Sequence, residues 1–120
     1  MKKFIPFFIF NLYAILTFAQ CLPGELESYV EISTDGYGYE SYWEIVPNNN
    51  DCGNGTIIFG GNNAVGCNGG GNQNQAPGGY SNNTTIIEGP FCLTENNSYK
   101  LINVDDWGDS GPNYTIKLSG

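Results

Sequence analysis

Apolar side chains recur at every second position along this chain, and no stretch of a dozen residues shows the 3.6-residue spacing of a helix. Six segments rich in β-branched and aromatic residues carry the pattern: 29–33, 41–46, 56–59, 84–87, 98–104 and 113–118. A two-residue period gives each strand one face toward a core and one toward solvent. We therefore predict an all-β fold, a small antiparallel sandwich or jelly-roll-like domain stapled by disulfides.

The same alternation predicts which side chains form the core. Trp43 is expected inside because it alternates with Tyr42 and Glu44. The full set of expected core residues is Val30, Ile32, Trp43, Ile45, Leu101, Tyr114, Ile116 and Leu118.

The first nineteen residues have the layout of a secretory signal peptide. Residues 1–3 are basic, residues 4–18 are almost wholly apolar, and Thr17 and Ala19 place small side chains at the −3 and −1 positions of a cleavage site. We therefore predict a signal peptide over 1–19 and a secreted, extracellular protein.

Two other interpretations of the N-terminus are weaker. A membrane anchor needs about 20 apolar residues, and this run is shorter and contains Pro6. A lipoprotein attached through Cys21 is a minor alternative, because the residue before a lipidated cysteine is normally small and here it is Gln20. After cleavage, residues 20–120 form a single β domain without membrane insertion.

The charge of the mature chain limits its partners. Removal of 1–19 leaves two lysines against twelve carboxylates, a net charge of 2 − 12 = −10, with no arginine or histidine. So acidic a surface repels phosphate backbones and anionic membranes, which excludes nucleic acid as a partner. Divalent cations and neutral glycans remain compatible with it.

Four cysteines, an even number, indicate disulfides in an exported chain. Zinc binding is disfavoured, because no two cysteines lie two to four residues apart and no histidine is present. Of the three possible pairings, we predict Cys52–Cys67, which closes a local loop, and Cys21–Cys92, which ties the N-terminus to the second half.

Residues 60–83 form a Gly/Asn-rich loop in the predicted domain. Fifteen of these 24 residues are glycine or asparagine, and none is charged. Such a composition buries too little apolar area to order itself as a core. The segment is either a passive insertion pinned at Cys67 or a binding loop, with Tyr80 as a stacking face for sugars.

Two acidic turns are the most chemical feature of the sequence. Asp35 and Glu40 lie in one turn, and Asp105, Asp106 and Asp109 lie in the other. Carboxylates crowded into glycine-rich turns repel one another unless a cation lies between them. We predict that the five residues bind Ca²⁺. The alternative is ordinary Asp-Gly turn chemistry, which we favour for Asp35 taken alone.

This cation site depends on strand pairing. If the strands 29–33 and 99–104 are neighbours, both turns lie at one end of the sandwich and can share an ion. The aromatic residues beside the turns, Tyr37, Tyr39 and Trp107, are then candidates for ligand contact, together with Tyr80.

Two stretches of the chain carry motifs. Residues 34–43 follow the pattern T-D-x-Y-x-x-E-x-x-W. The second pattern begins at Cys92, continues through a strand at 98–101 and D-D-W-G-D-S-G at 105–111, and ends with 114–116. Together they resemble a small secreted β module found, often repeated, in extracellular multidomain proteins of Bacteroidetes and some marine eukaryotes.

The resemblance covers most of the mature chain in outline, with two departures. Ser110 replaces the usual second glycine, and the cysteine pair that often follows is absent. The resemblance implies an extracellular accessory module beside enzymes or adhesins, and it bears on fold and compartment more than on activity.

Together these observations favour a secreted, non-catalytic binding or adhesion module, stabilised by calcium and facing a glycan or a cell-surface protein. One alternative is a structural subunit that self-associates through exposed strand edges into a layer or fibre. A further alternative is a small glycoside hydrolase using Glu40 and Asp109 as its acid and base.

Overall fold

The computed structural model describes residues 21–69 and 78–119, so the predicted signal peptide (1–19) and residues 70–77 of the Gly/Asn-rich loop lie outside it. The described residues form six strands, which confirms the all-β prediction. They are β1 (Glu25–Ser33), β2 (Ser41–Pro47), β3 (Ile58–Gly61), β4 (Thr85–Thr94), β5 (Tyr99–Asp105) and β6 (Asn113–Ser119). Two short 3₁₀ turns, Gly38–Glu40 and Gly66–Asn68, lie between strands.

The strands form two three-stranded antiparallel sheets, ordered β4-β1-β6 and β3-β2-β5. The condition considered for a shared cation site, that the strands 29–33 and 99–104 are neighbours, is not met, because β1 and β5 lie in different sheets. β5 pairs instead with β2, in a register that runs from Ser41 opposite Asp105 to Pro47 opposite Tyr99. Both acidic turns nevertheless meet, since β2 begins directly after Glu40.

The core lies between the sheets. Val30 and Ile32 of β1 meet Trp43 and Ile45 of β2, and all four are fully buried. Leu93 of β4 completes this cluster. The indole of Trp43 faces β3 at Gly60, where a β-carbon would lie 2.7 Å from the ring, so only glycine fits opposite this side chain.

A chain of hydrogen bonds crosses the core. Trp43 Nε1 donates to the Tyr80 hydroxyl at 2.7 Å, and that hydroxyl donates to Glu88 Oε1 at 3.1 Å. Burial raises the pKa of Tyr80 to about 12, and the nearby Glu88 carboxylate raises it too.

The strand β2 is buried on both faces, which the alternation did not predict. Its outer face carries Glu44, which has no solvent exposure. Glu44 Oε1 accepts from the Gly53 amide at 2.6 Å, and Oε2 accepts from the hydroxyls of Tyr42 at 2.8 Å and Thr56 at 3.1 Å. The loop between β2 and β3 therefore closes over this face and supplies donors to the buried carboxylate.

The start of the Gly/Asn-rich segment also packs on the sheet. Val65 is 4% exposed, and a β-carbon at Gly69 would lie 2.4 Å from Val104 of β5. Asn62 is buried and donates from Nδ2 to the Tyr39 carbonyl at 2.8 Å. Residues 62–69 are thus a packed cover of the sheet, held by a buried amide as well as by Cys67.

Both predicted disulfides are confirmed. Cys52 pairs with Cys67 across 15 residues, and Cys21 pairs with Cys92 across 71. A sulfur that is part of a disulfide cannot also carry a lipid thioether, so the Cys21–Cys92 bond disfavours the lipoprotein alternative. Among the described residues, no helix is long and apolar enough to cross a membrane.

Two residues predicted as core are exposed. Ile116 and Leu118 are 43% and 61% exposed. The register places Ile116 opposite the buried Val30, so it points toward the core side of the sheet. However, β6 is the outer strand of its sheet, where the facing three-stranded sheet gives less cover. Leu101 and Tyr114 are partly buried against the core.

The Cys52–Cys67 bond should stabilise the cover over Glu44. We expect a Cys52→Ser/Cys67→Ser double variant to lose about 3 kcal/mol of unfolding free energy, the entropic value for a 15-residue loop. Urea unfolding followed by tryptophan fluorescence measures this. Ordinary surface substitutions change the unfolding free energy by about 0.5 kcal/mol or less. A loss this small would show that the disulfide does not stabilise the loop that covers Glu44.

Alkaline pH should destabilise the fold. Burial, the largest cause, raises the pKa of both Tyr42 and Tyr80 to about 12, so the folded state keeps protons that the unfolded state releases near pH 10. Stability from these groups is complete below pH 10 and is lost as the pH rises through about 12. We expect Tyr80→Phe to reduce the slope of unfolding free energy against pH in this window. An unchanged slope would exclude Tyr80 as a source.

Candidate cation site and aromatic cleft

The pairing of β2 with β5 brings the two acidic turns together. Ser41, the first residue of β2, lies opposite Asp105, the last residue of β5. One step further, the Asp106 amide donates to the Glu40 carbonyl at 2.9 Å. The segment that precedes β2 therefore lies against the turn that follows β5, at one end of the sandwich.

Three carboxylates meet there. One oxygen each of Glu40, Asp105 and Asp109 lies within 4.8 Å of the others, a spacing that a single cation could bridge. The three differ in exposure: Glu40 is 3% exposed, Asp105 is half-buried and Asp109 is exposed. A cation would reach the group from the side of Asp109.

Glu40 is the buried member of this group of carboxylates. Its Oε1 atom is buried and has no hydrogen-bond partner among the described residues. Burial raises the pKa of the Glu40 carboxyl, and the negative charges of Asp105 and Asp109 raise it further. A hydrogen bond from Tyr39 lowers the pKa in part. A buried carboxylate among acidic neighbours is unfavourable unless it takes up a proton or a cation offsets its charge.

Asp105 shapes the turn as well as joining the group. Its Oδ2 accepts from the amides of Asp109 at 3.0 Å and Ser110 at 3.1 Å, and its Oδ1 accepts from the Trp107 amide at 3.3 Å. Gly111 has a φ of +56°, and a β-carbon there would lie 3.2 Å from the Asp105 side chain. Glycine is therefore needed where the turn closes around this carboxylate.

Two of the five predicted cation ligands lie outside the group of three. Asp35 Oδ1 accepts from the Tyr37 amide at 2.8 Å, which is the ordinary turn chemistry considered for this residue. Asp106 is 1% exposed, and its negative charge contributes to the raised pKa of Glu40. Of the five predicted ligands, those whose carboxylate oxygens meet within 4.8 Å are therefore Glu40, Asp105 and Asp109.

An aromatic cleft of about 290 Å³ adjoins the carboxylates. Tyr37, Tyr39 and Trp107 line it together with Glu40 and Asp109. Tyr37 is 53% exposed and Trp107 is 44% exposed, so both offer ring surface to solvent. The rings of Tyr37 and Tyr39 meet edge to face with centroids 6.3 Å apart. Three of the four predicted ligand-contact residues are therefore together.

Tyr80, the fourth predicted ligand-contact residue, does not line this cleft. Its ring packs against the core, and its hydroxyl is engaged by Trp43 and Glu88. Tyr80 therefore contributes to the core and does not line the aromatic cleft. The residue before Tyr80, Gly79, lies close to the backbone of Tyr39: a β-carbon on Gly79 would be 2.9 Å from the Cα atom of Tyr39.

A larger groove, of about 690 Å³, lies at the other end of β2 and was not predicted. It is lined by the loop after Pro47 and by the turn before Tyr99. The runs of asparagine at 48–50 and 96–97 were the only sequence signal for it. Polar runs of this kind are typical of any loop, so they did not distinguish a groove from an ordinary turn.

No protein-family model matches the chain, and no curated protein or solved structure matches it either.

The burial of Glu40 leads to a test in metal-free buffer. At pH 7 in EDTA, we expect Glu40→Gln to raise the thermal midpoint by several degrees, because it removes a buried charge that two neighbouring carboxylates repel. Asp35→Asn is the control: it also removes one negative charge at this end, but outside the group, and should change the midpoint little. If both variants shift the thermal midpoint equally, the effect comes from the lower net negative charge of the protein and not from the group around Glu40.

Proposed function

We propose that this chain is an exported, non-catalytic binding module whose three-carboxylate group takes Ca²⁺ and whose aromatic cleft binds a glycan beside it. The observation that carries the proposal is the buried Oε1 of Glu40, which has no partner among the described residues and lies with Asp105 and Asp109 at the edge of the cleft.

The donor set favours calcium over a transition metal. All three side chains offer carboxylate oxygens, the ligands of hard cations, and the described group contains no histidine or free cysteine. Three carboxylates supply three to six oxygens, depending on how many bind through both atoms. Water or backbone carbonyls would complete the six to eight oxygens that calcium prefers. The ion would supply the positive charge that Glu40 lacks.

The aromatic cleft favours a sugar as the ligand. Exposed tyrosine and tryptophan rings offer apolar faces for the C–H surface of a pyranose, with polar groups at their edges for its hydroxyls. Tyr37 and Trp107 have this exposure, and the Asp109 carboxylate at the rim accepts hydrogen bonds. The net charge of −10 after removal of 1–19 favours a neutral or cationic glycan over an acidic one.

Two further observations support an exported protein. The two disulfides are typical of an oxidising compartment. The motifs at 34–43 and 105–111 resemble the secreted β module described above, and here they supply the cleft and its carboxylates.

The glycoside hydrolase alternative also uses this site, with Glu40 and Asp109 as the two carboxylates. An acid or base must reach its substrate, and Glu40 is only 3% exposed. A third carboxylate, Asp105, within the same 4.8 Å is more typical of cation ligands than of a two-carboxylate reaction centre. The geometry therefore favours binding over hydrolysis.

Calcium should stabilise the fold. At a concentration one hundred times its dissociation constant, we expect about 2.7 kcal/mol of added stability, seen as a thermal midpoint roughly 10 °C above that in EDTA. Asp109→Asn should weaken calcium binding about tenfold without disturbing the fold, because this side chain is exposed. Asp51→Asn, at another exposed carboxylate, is the matched control. Equal midpoints in calcium and EDTA for the unaltered protein would refute the cation site.

The cleft should bind glycans through Trp107. On a glycan array in calcium, we expect Trp107→Ala to lose binding at least about tenfold, the value of one aromatic contact. Phe59→Ala, which removes another exposed aromatic ring, is the control and should bind like the unaltered protein. If Trp107→Ala binds as well as the control, the cleft is not the glycan site.

A further inference from the structure

The groove at the far end of β2 has a lining unlike the rest of this acidic molecule. Its residues come from the loop after β2, the end of β4 and the turn before β5, and none of them is charged. In a protein with ten more negative than positive side chains after removal of 1–19, an uncharged lining gives no electrostatic preference for an ion. Its volume of about 690 Å³ lies within the range of ligand sites.

Backbone hydrogen bonds hold the two walls of the groove together. Asn48 N donates to the Ser98 carbonyl at 3.0 Å, which extends the pairing of β2 with β5 by one step. Asn50 N donates to the Pro47 carbonyl at 2.9 Å, so this loop is a defined turn. The opposite wall turns at Asn96, whose φ is +61°. The groove is therefore built before any ligand arrives, which reduces the entropic cost of binding.

The side chains of the groove combine an apolar floor with an amide rim. Pro47, Ile57 and Tyr99 contribute apolar surface, and Ile57 is 44% exposed. Among the described residues, the side-chain amides of Asn48, Asn49 and Asn96 bond to no protein group. Each such amide offers both donors and an acceptor, the pattern that neighbouring sugar hydroxyls match.

From this arrangement we infer that the groove is a second binding site, for a neutral oligosaccharide, and that it works without a cation. A neutral sugar suits this groove because the amides at its rim pair with hydroxyl groups and no charged side chain lines it. The inference does not rest on the proposed calcium site, which lies at the opposite end of the same two strands.

The test uses ¹⁵N-labelled protein in EDTA, titrated separately with five neutral hexasaccharides: those of cellulose, mannan, xylan, β-galactan and chitin. Proton–nitrogen correlation spectra report the side-chain amides directly. With at least one sugar, at concentrations up to about 5 mM, we expect shifts of the Asn48 and Asn96 resonances. Shifts confined to the aromatic cleft, or none with all five sugars, would overturn the inference.

Two variants complete the test. Asn48→Ala/Asn96→Gly removes two rim amides, and glycine suits the positive φ at position 96; we expect at least about tenfold weaker binding. Asn83→Gly makes the same change at another positive-φ asparagine, outside the groove, and should bind normally. Equal affinity of the double variant and this control would overturn the inference. Trp107→Ala should leave binding in EDTA unchanged, which separates this site from the cleft.

Discussion

The burial of β2 on both faces determines how the described structure is arranged. Its inner face places Trp43 and Ile45 in the core, and its outer face places the Glu44 carboxylate where water does not reach. A buried charge is costly unless donors surround it, and the covering loop supplies the Gly53 amide and the Thr56 hydroxyl. Sheet and cover therefore depend on each other, because without the loop Glu44 would lose two of its donors. The Cys52–Cys67 bond ties this cover together.

Much of the fold could be predicted from the sequence, because a two-residue period reports directly which side chains share a face of a strand. The period does not report which strands adjoin, so the sequence did not reveal that β5 pairs with β2. The period also does not show how far neighbouring sheets and loops bury each face of a strand. Ile116 points to the core side of its sheet but lies on an outer strand, whereas Glu44 points away from the core and is buried by a loop.

The candidate site was predictable only in part, for a related reason. Charge density in two turns identified the region, and the strand register then selected which carboxylates meet. Asp35 and Asp105 both accept amide hydrogens in their own turns, so local sequence does not distinguish them. Only Asp105 also faces Glu40, because it ends the strand that pairs with β2. Which of two similar turns joins a site is a tertiary property, and no single-sequence pattern encodes it.

The carboxylates of the proposed cation site are held by different means, and this affects what a cation would do. Glu40 is fixed by burial, and Asp105 is fixed by the amides of its own turn. Only Asp109 carries an exposed side chain that must be ordered on binding. A preorganised site loses little entropy, so most of the binding free energy would stabilise the fold instead of ordering a loop. Because Glu40 and Asp109 also line the aromatic cleft, the ion would fix that wall of the sugar site while leaving the amide groove unaffected.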